Sequence, residues 1–498
     1  MAILIFAETY NGEFKKDCYE LASYAYDIAS EKNMSVTAIC FNASNPSELS
    51  NFGVNKIINS SNEELKDFDA TTKKYGKEEF RLAVADFIAE NRPPFPFKKI
   101  SYERMREMFL ALKDYDTSNC ITPTDNLQQE VMEKYDDYTY DFGQWGMGLI
   151  DCASNHSDAS NFFHQDLRLA CGSYGFQPPV KVWEEGTSKE IWRCLGPIWR
   201  GINGVQKVQV EGKEELMGGK LDEKSYISAF RLGTYIATQF KPLVAKSIYD
   251  NTRSKTILDT SCGWGDRLCG FYAGNYTTHY IGTDPNPNTF ERYKRQCIYY
   301  ERILTGQEPD LIEQEDYFSC IGSKKVEIYR CGAEDLKYDT LPPIDCAFTS
   351  PPYFSTERYN EGGEHAEDQS WSKFNEYNAW RDEFYLPVAK KSFESLANSG
   401  VLYINILDPK INGVRYRSGD EVIRHVGEEY FDGQIGMRIM QRPQGKSVFK
   451  DENGDFDKAA MDEYMKKYYI ENIWCFSKGV ARDFFKDARV STLDGFFE

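Results

Sequence analysis

Two short stretches of the sequence place residues that can do chemistry directly after apolar runs. The first run covers residues 256–258 and ends in Asp259, and Ser261, Gly263 and Gly265 follow within the next six positions. A strand that leads through a glycine-rich turn into a helix brings backbone N–H groups close to a ligand, and nucleotide cofactors bind at such turns. We therefore predict that these four residues form a cofactor-binding turn.

The second stretch is a double proline at the end of the apolar run "IDCAFT". The tetrapeptide Ser350-Pro351-Pro352-Tyr353 follows this run, and Phe354 comes next. Two prolines fix φ and remove two backbone donors, so the carbonyl groups of this corner face a ligand without a competing N–H. We assign Tyr353 and Phe354 to a substrate site and expect Phe354 to pack inward.

Acidic residues follow two further predicted strands. Asp284 ends "HYIGTD", 25 positions after Asp259 (284 − 259), and Glu334 and Asp335 follow "KKVEIYRCGA". The carboxyl ends of parallel strands meet at the edge of the sheet where ligands bind. We expect Asp284 to accept hydrogen bonds from both ribose hydroxyls of a nucleoside, and Glu334 or Asp335 to accept from an adenine amino group.

Together these motifs resemble the class I S-adenosylmethionine-dependent methyltransferases. The closest likeness is to the enzymes that methylate amines of nucleic-acid bases, which carry Asp/Asn/Ser-Pro-Pro-Tyr/Phe after the fourth strand; it covers about residues 220–480. The resemblance implies S-adenosyl-L-methionine as the cofactor. It also implies that the Ser350 side chain and the Pro351 carbonyl accept the hydrogens of the target amine, while Tyr353 stacks on the base.

The activity implied by this resemblance is methyl transfer to the exocyclic amine of cytosine or adenine in DNA. A serine at the first position is commoner among cytosine-modifying members, and some viral and phage relatives carry a Gln-Ser pair after the corner, as Gln369 and Ser370 do here. Two alternatives stay open, namely a methyltransferase of RNA bases and an idle module that binds nucleic acid or a protein partner.

The predicted fold is α/β, a Rossmann-like doubly wound sheet of the seven-strand methyltransferase type in residues 217–498. An additional N-terminal α/β unit is predicted for residues 1–72, followed by an irregular or α-rich accessory region at residues 73–216 that would supply recognition. Residues 1–72 resemble the N-terminal part of the electron transfer flavoprotein alpha subunit. Because no flavin-binding domain can be matched downstream, we expect this unit to serve packing or partner contact without flavin.

Composition and residue spacing exclude several kinds of surface and site. The net charge of −19 argues against a broad cationic surface for nucleic acid, so binding must use a local cleft. Thirteen cysteines without a CxxC pair indicate reduced thiols in a cytoplasmic protein, and no apolar run is long enough to span a membrane. The spacing of His156, His164, Asp151 and Asp166 is not that of a metal site, so no metal is predicted.

Overall fold

The computed structural model falls into two compact units. It describes residues 2–7, 9–10, 13–32, 34–41, 43–60, 77–123, 146–150, 156–173, 175–196, 206–210, 213–217, 223–411, 413–440, 448–451, 454–466 and 468–479. The first unit combines Met1–Pro94 with Trp183–Gly233, and the second combines Phe95–Val182 with Thr234–Glu498. The predicted boundary near residue 72 lies outside the described residues, so the division into three segments stays a prediction.

The first unit contains a three-stranded parallel sheet. Strand Ser35–Phe41 lies between Ala2–Ala7 and Lys56–Ser60. Helix Lys16–Glu31 connects the first two strands and buries small residues at helical spacing, namely Cys18, Ala22, Ala25 and Ala29. These strands and this helix agree with the α/β unit that the sequence predicts at the N-terminus.

The remaining elements of the first unit are mostly helical. They are the helices Lys77–Asn91, Ser188–Leu195 and Glu223–Gly233, the 3-10 helix Pro46–Phe52, and the paired short strands Gln206–Val210 with Lys213–Met217 and Thr9–Tyr10 with Glu13–Phe14. Helix Ser188–Leu195 begins with a capping box in which Thr187 and Glu190 satisfy each other's backbone N–H. This cap explains why the helix starts where it does.

The second unit is built on a large mixed sheet. In chain order its described strands are β1 (Ile121–Pro123), β2 (Gly146–Ile150), β3 (Thr256–Asp259), β4 (His279–Thr283), β5 (Asp310–Gln314), β6 (Tyr317–Ile321), β7 (Lys325–Tyr329), β8 (Ile344–Thr349), β9 (Leu396–Asn405), β10 (Phe431–Met440) and β11 (Tyr468–Ser477). Their order across the sheet is β5-β6-β7-β4-β3-β8-β9-β11-β10-β2-β1.

The seven central strands have the predicted topology. Strands β7, β4, β3, β8 and β9 are parallel neighbours, whereas β11 runs antiparallel to both β9 and β10. The chain therefore starts at the centre of the sheet, builds outward to one side and then crosses to the other. This is the doubly wound Rossmann-like arrangement with a final antiparallel hairpin, so the predicted fold class is confirmed.

Both edges of the sheet extend beyond these seven strands. Strands β5 and β6 add an antiparallel meander to β7 on one side. On the other side, β2 pairs in parallel with β10, and β1 pairs antiparallel with β2. Strands β1 and β2, from a region that the sequence did not resolve into elements, thus extend the large sheet.

Helices cover both faces of this sheet. The longer helices of the second unit are α1 (Tyr102–Lys113), α2 (Asp158–Leu169), α3 (Pro242–Asn251), α4 (Asp266–Ala273), α5 (Pro287–Thr305), α6 (Leu386–Glu394), α7 (Ser418–Val426) and α8 (Lys458–Lys466), and its shorter ones are Ser370–Lys373, Tyr377–Ala379 and the π-helical turn Trp380–Tyr385. Alternate strand residues face opposite sides. Ile257 accordingly packs in the core that contains Leu268 of α4, whereas Leu258 packs in the core that contains Val388 of α6.

Among the described residues, no helix combines the length and apolar character needed to cross a membrane.

Candidate active site

The glycine turn after β3 uses its two glycines for different purposes. Both adopt left-handed backbone conformations, with φ of 58° at Gly263 and 69° at Gly265. A Cβ on Gly265 would lie 2.1 Å from Oε1 of Gln296 in α5 and 2.8 Å from Nε2 of His164. A Cβ on Gly263 would meet only the Ser261 carbonyl oxygen, at 3.6 Å. The missing side chain of Gly265 thus lets α5 pack closely against the turn, whereas the missing side chain of Gly263 leaves free space beside the backbone.

Asp259 holds the turn from behind. Its carboxylate is fully buried and accepts hydrogen bonds from Arg267 Nε at 2.8 Å, the Tyr280 hydroxyl at 2.6 Å and the Ser261 N–H at 3.1 Å. Arg267 also donates through Nη2 to the Ser261 carbonyl oxygen. Because all of these donors belong to the protein, we interpret Asp259 as a residue that positions the loop.

Asp284 also uses most of its acceptor capacity on donors of the protein. Its Oδ2 accepts from the Gly263 N–H at 3.1 Å and the Tyr293 hydroxyl at 2.8 Å, and its Oδ1 accepts from the Asn286 N–H at 2.9 Å. A carboxylate offers about four acceptor positions. Burial raises the pKa of Asp284, although these donors act to lower it. Little capacity is left for two ribose hydroxyls.

The acidic pair after β7 is divided between the protein interior and its surface. Glu334 Oε1 accepts from Lys373 Nζ at 2.7 Å, while its Oε2 is buried without a partner among the described residues. Asp335 pairs with the same lysine at 3.1 Å, and its side chain is 62% exposed. Of the two candidates, only Glu334 presents a buried acceptor to a ligand.

At the proline corner, Asn405 at the end of β9 faces the serine hydroxyl. Ser350 Oγ donates to Asn405 Oδ1 at 3.3 Å, and the Tyr353 hydroxyl lies 3.4 Å from the same oxygen. The orientation of the Asn405 amide is fixed because its Nδ2 donates to the Asn472 carbonyl oxygen at 3.0 Å. The Ser350 carbonyl oxygen in turn accepts from Ser261 Oγ at 2.8 Å, which connects the corner to the glycine turn.

Two carboxyl groups, those of Glu357 and Glu471, lie near the proline corner. The Tyr353 hydroxyl donates to Glu471 Oε1 of β11 at 3.4 Å. Glu357 accepts from the Thr238 N–H at 3.0 Å and from the Tyr359 hydroxyl. Burial raises the pKa of Glu357 to about 7, the nearby Glu471 acts in the same direction, and the Thr238 hydrogen bond opposes them.

Phe354 points away from this site. It is 5% exposed, has a left-handed φ of 55°, and packs against Tyr377 and Trp380. The side chain therefore packs inward, as expected, and a place for it in the substrate site is not supported because its ring is part of the core.

A single cavity joins the glycine turn to the proline corner. Its free volume is about 1410 Å³ when the open mouth is included. We call the lining after β3, β4 and β7 the turn side (Ser261, Gly263, Asp284 and Glu334), and the lining around the corner and the ends of β9 and β11 the proline side (Ser350, Pro351, Pro352, Tyr353, Glu357, Asn405 and Glu471). Of the predicted residues, Asp259, Gly265, Asp335 and Phe354 do not line it.

The sequence did not single out several residues that line this cavity. They include Thr238, Gln239 and Lys241 before α3, Asp266 at the start of α4, and Glu357, Asn405 and Glu471. Two signals could have found some of them. Asn405 and Glu471 are polar residues inside otherwise apolar strands, "VLYIN" and "YYIENIW", and Asp266 directly follows the second glycine of the turn.

The histidines and aspartates considered as metal ligands are dispersed. His164 is buried and bonds Gln296 at 3.1 Å, burial lowers its pKa to about 3, and Asp166 pairs with Arg292 at 2.8 Å. Asp151 lies outside the described residues. Within the described part of the chain, no group of His, Cys, Asp or Glu side chains is arranged to hold a metal ion.

Comparison with known families supports the sequence resemblance. Residues 344–492 match the family model N6_N4_Mtase, described as DNA methylase. The match begins at β8 and includes the proline corner, so the predicted likeness to amino-methylating nucleic-acid enzymes is confirmed. No curated protein sequence matches this chain. The likeness of residues 1–72 to the electron transfer flavoprotein stays a prediction.

Solved structures of methyltransferases are similar over about half of the chain. Trm1 from Pyrococcus horikoshii in complex with S-adenosyl-L-methionine is 14% identical, with a TM-score of 0.28, over 49% of this chain and 58% of that protein. An rRNA methylase from Streptococcus thermophilus is 13% identical, with a TM-score of 0.25, over 49% and 100%. TrmN from Thermus thermophilus is 10% identical, with a TM-score of 0.26, over 48% and 49%. The chain thus spans 58% of the length of Trm1 and 49% of that of TrmN.

Proposed function

We propose that this protein transfers a methyl group from S-adenosyl-L-methionine to the exocyclic amine of a base in DNA. The observation that carries the proposal is that the glycine turn and the Ser350-Pro351-Pro352-Tyr353 corner line the same cavity. A cofactor bound at one side would be adjacent to a base bound at the other. The match of residues 344–492 to a family described as DNA methylase supports DNA as the substrate.

The turn side fits a nucleoside. Gly263 leaves space beside its backbone for a ligand. Glu334 offers a buried Oε2 without a partner among the described residues, which can accept from an amino group. Asp284 lines the same side and keeps acceptor capacity for about one hydroxyl. These residues would hold the adenosine part of the cofactor, which supplies an electrophilic methyl group when it is bound.

On the proline side, Ser350 acts as a hydrogen-bond acceptor. An exocyclic amine is a weak nucleophile because its lone pair is delocalised into the ring, so acceptors must bind its hydrogens to localise the pair on nitrogen. The Ser350 hydroxyl gives its own hydrogen to Asn405 Oδ1, which leaves its lone pairs free to accept from the amine. Asn405 is therefore a positioning residue, and the Pro351 carbonyl supplies the second acceptor.

The methylated amine must lose one proton, and Ser350 cannot take it. A serine hydroxyl is not a base near neutral pH, whereas Glu357 and Glu471 are carboxyl groups that line the proline side. A group whose pKa lies near the working pH is best suited to proton transfer. We assign the acceptance of this proton to Glu357 and Glu471, with the Tyr353 hydroxyl in contact with Glu471.

The Tyr353 ring would hold the base by stacking. In single-strand binders, such stacking contributes on the order of 1–3 kcal/mol for each base. Enzymes that modify bases in a duplex extrude the target into a pocket of this kind. Since the net charge is −19, we expect the cavity, not a broad cationic surface, to select the substrate.

The test is transfer of a labelled methyl group to DNA by the wild type and by Ser350→Ala. Removal of one preorganised polar partner lowers turnover by about 100- to 1,000-fold, so this loss is expected while cofactor affinity in calorimetry stays within about twofold. Tyr353→Ala should raise the DNA concentration needed for half-maximal rate as well as slow turnover. If both variants keep the wild-type rate, the double proline is only a structural corner and the proposed mechanism is wrong.

A further inference from the structure

Asp266 is a residue of the cavity lining whose carboxyl group has a buried oxygen without a hydrogen-bond partner among the described residues. The residue as a whole is 2% exposed. Its Oδ1 accepts from Ser160 Oγ and from Gln239 Nε2, the latter at 3.0 Å, so the orientation of the carboxyl group is fixed. Its Oδ2 is buried and has no hydrogen-bond partner among the described residues.

This arrangement is costly for the protein alone. A buried carboxylate oxygen without a partner loses its hydration and gains nothing in return. Burial raises the pKa of Asp266 to about 7, although Ser160, Gln239, Arg168 and Arg267 act to lower it. Such a group is stabilised as a carboxylate when a cation that can donate a hydrogen bond enters the cavity.

We propose that Oδ2 of Asp266 binds the α-ammonium group of the methionine part of the cofactor. This inference rests on the proposed function, because it takes S-adenosylmethionine as the ligand. Of the two cationic groups in that molecule, the sulfonium has no hydrogen to donate, whereas the ammonium donates three. The target base is uncharged, so it does not satisfy the same requirement.

The position of Asp266 fits this assignment. It directly follows Gly265 and is held by Gln239, whereas the nucleoside-binding acceptors Asp284 and Glu334 follow β4 and β7. The two ends of the cofactor are thereby recognised by different elements. Asp259, the acid at the end of β3, does not line the cavity and accepts hydrogen bonds from three protein donors, so Asp266 is the carboxylate of this loop that remains for a ligand.

The test compares two probes that share the nucleoside and a neutral thioether. S-adenosylhomocysteine carries the α-ammonium group and 5′-methylthioadenosine lacks it. In calorimetry with the full chain, Asp266→Asn should weaken S-adenosylhomocysteine binding by about 10- to 100-fold and leave methylthioadenosine unchanged. The matched control Glu334→Gln should weaken both probes. Equal effects of Asp266→Asn on the two probes, or no effect on either, would overturn the proposal.

A second measurement uses the wild type and does not depend on the variant folding. An ammonium bound to Oδ2 lowers the pKa of Asp266, so binding near pH 7 should release about half a proton. Titrations in two buffers of different ionisation enthalpy measure this release. The charged groups that face Asp266 are Arg168 of α2 and Arg267 of α4, and Asp284 and Glu357 share the cavity.

Methylthioadenosine corrects for protons that are linked to the nucleoside end of the cavity. If more protons are released on binding of S-adenosylhomocysteine than of methylthioadenosine, the ammonium-binding role of Asp266 is supported. Equal proton release for the two probes contradicts it. A wild type that binds neither probe contradicts the proposed function itself. The two failures are therefore distinguishable in the same set of titrations.

Discussion

The turn side and the proline side of the cavity are assembled from the chain in different ways. On the turn side, Asp284 bonds the Gly263 N–H from 21 positions away. On the proline side, Ser350 depends on Asn405 and Tyr353 depends on Glu471, which lie 55 and 118 positions further along. One side is organised mainly by neighbouring loops, and the other by strands that meet only in the folded sheet.

This difference separates backbone recognition from side-chain recognition. At the glycine turn of the turn side, the backbone is held by Asp259 and Asp284, so the shape of this turn follows from one strand-turn-helix unit and the next strand end. The proline side presents hydroxyl and carboxyl groups whose hydrogen-bonding roles are set by distant partners. Substitutions on the turn side should therefore change cofactor binding, and those on the proline side should change turnover.

Asp284→Ala should have the largest effect in this comparison. The change removes a cavity acceptor and also releases the Gly263 N–H, the Asn286 N–H and the Tyr293 hydroxyl. Hydrogen bonds to charged groups contribute roughly 1.5–3 kcal/mol each, so cofactor affinity in calorimetry should fall by about 100-fold. Asp335→Asn, exposed and outside the cavity, is the control that should leave affinity unchanged.

Asn405→Ala should slow turnover by about 10-fold without weakening cofactor binding. If Asn405 acts by orienting the Ser350 hydroxyl, its loss should have no further effect in a Ser350→Ala background. A double-mutant cycle on the single-turnover rate measures this coupling. Additive losses would show that Asn405 acts independently of Ser350, and the assignment of a positioning role would be withdrawn.

The two glycines allow a smaller test within the turn side. Gly265→Ala introduces both a left-handed alanine and a clash with Gln296, which together should cost about 2–5 kcal/mol of unfolding free energy. Gly263→Ala introduces only the backbone strain, about 1–2 kcal/mol. Chemical denaturation of both variants gives the comparison. A Gly263 variant that is the less stable of the two would contradict the packing described here.

The raised pKa of Glu357 predicts a modest dependence of the free energy of unfolding on pH. Its pKa of about 7 in the folded protein lies above the value of about 4.3 expected in the unfolded chain. The folded state therefore binds more protons between these pH values, and the free energy of unfolding falls as the pH rises through this window. The thermal midpoint of Glu357→Gln should fall less steeply from about pH 5 to pH 8.

The matched control for this titration is Glu364→Gln, since Glu364 is exposed in the loop that follows the proline corner. This variant should keep the wild-type slope of thermal midpoint against pH. Identical slopes for wild type and Glu357→Gln would mean that Glu357 is not the group that takes up a proton in the folded state.

The sequence predicts the turn side better than the proline side for a physical reason. Short apolar runs that end in Asp259, Asp284 and the double proline identify the strand ends, and the doubly wound topology then brings these ends together. The sequence does not predict pairings between distant residues, such as Ser350 with Asn405, because they depend on the order of strands across the sheet. The addition of β1 and β2 to the sheet edge could not be predicted for the same reason.

Adjacent residues of the same type also proved hard to separate. Glu334 and Asp335 are equivalent in sequence, yet one faces the cavity and the other is exposed. Tyr353 and Phe354 were both assigned to the substrate site, yet only Tyr353 lines the cavity, because the left-handed backbone at Phe354 turns the chain so that its ring packs in the core. Local backbone geometry decides these cases, and a pattern of residue types does not specify it.

The most direct measurement of the central claim is nucleoside mass spectrometry on DNA and RNA from cells that express the wild type or Ser350→Ala. We predict an N-methylated cytosine or adenine in the DNA of cells with the wild type, and its absence with the variant. A methylated base confined to RNA would contradict the assignment of DNA as the substrate. If neither nucleic acid gains an N-methylated base, the proposed activity is wrong.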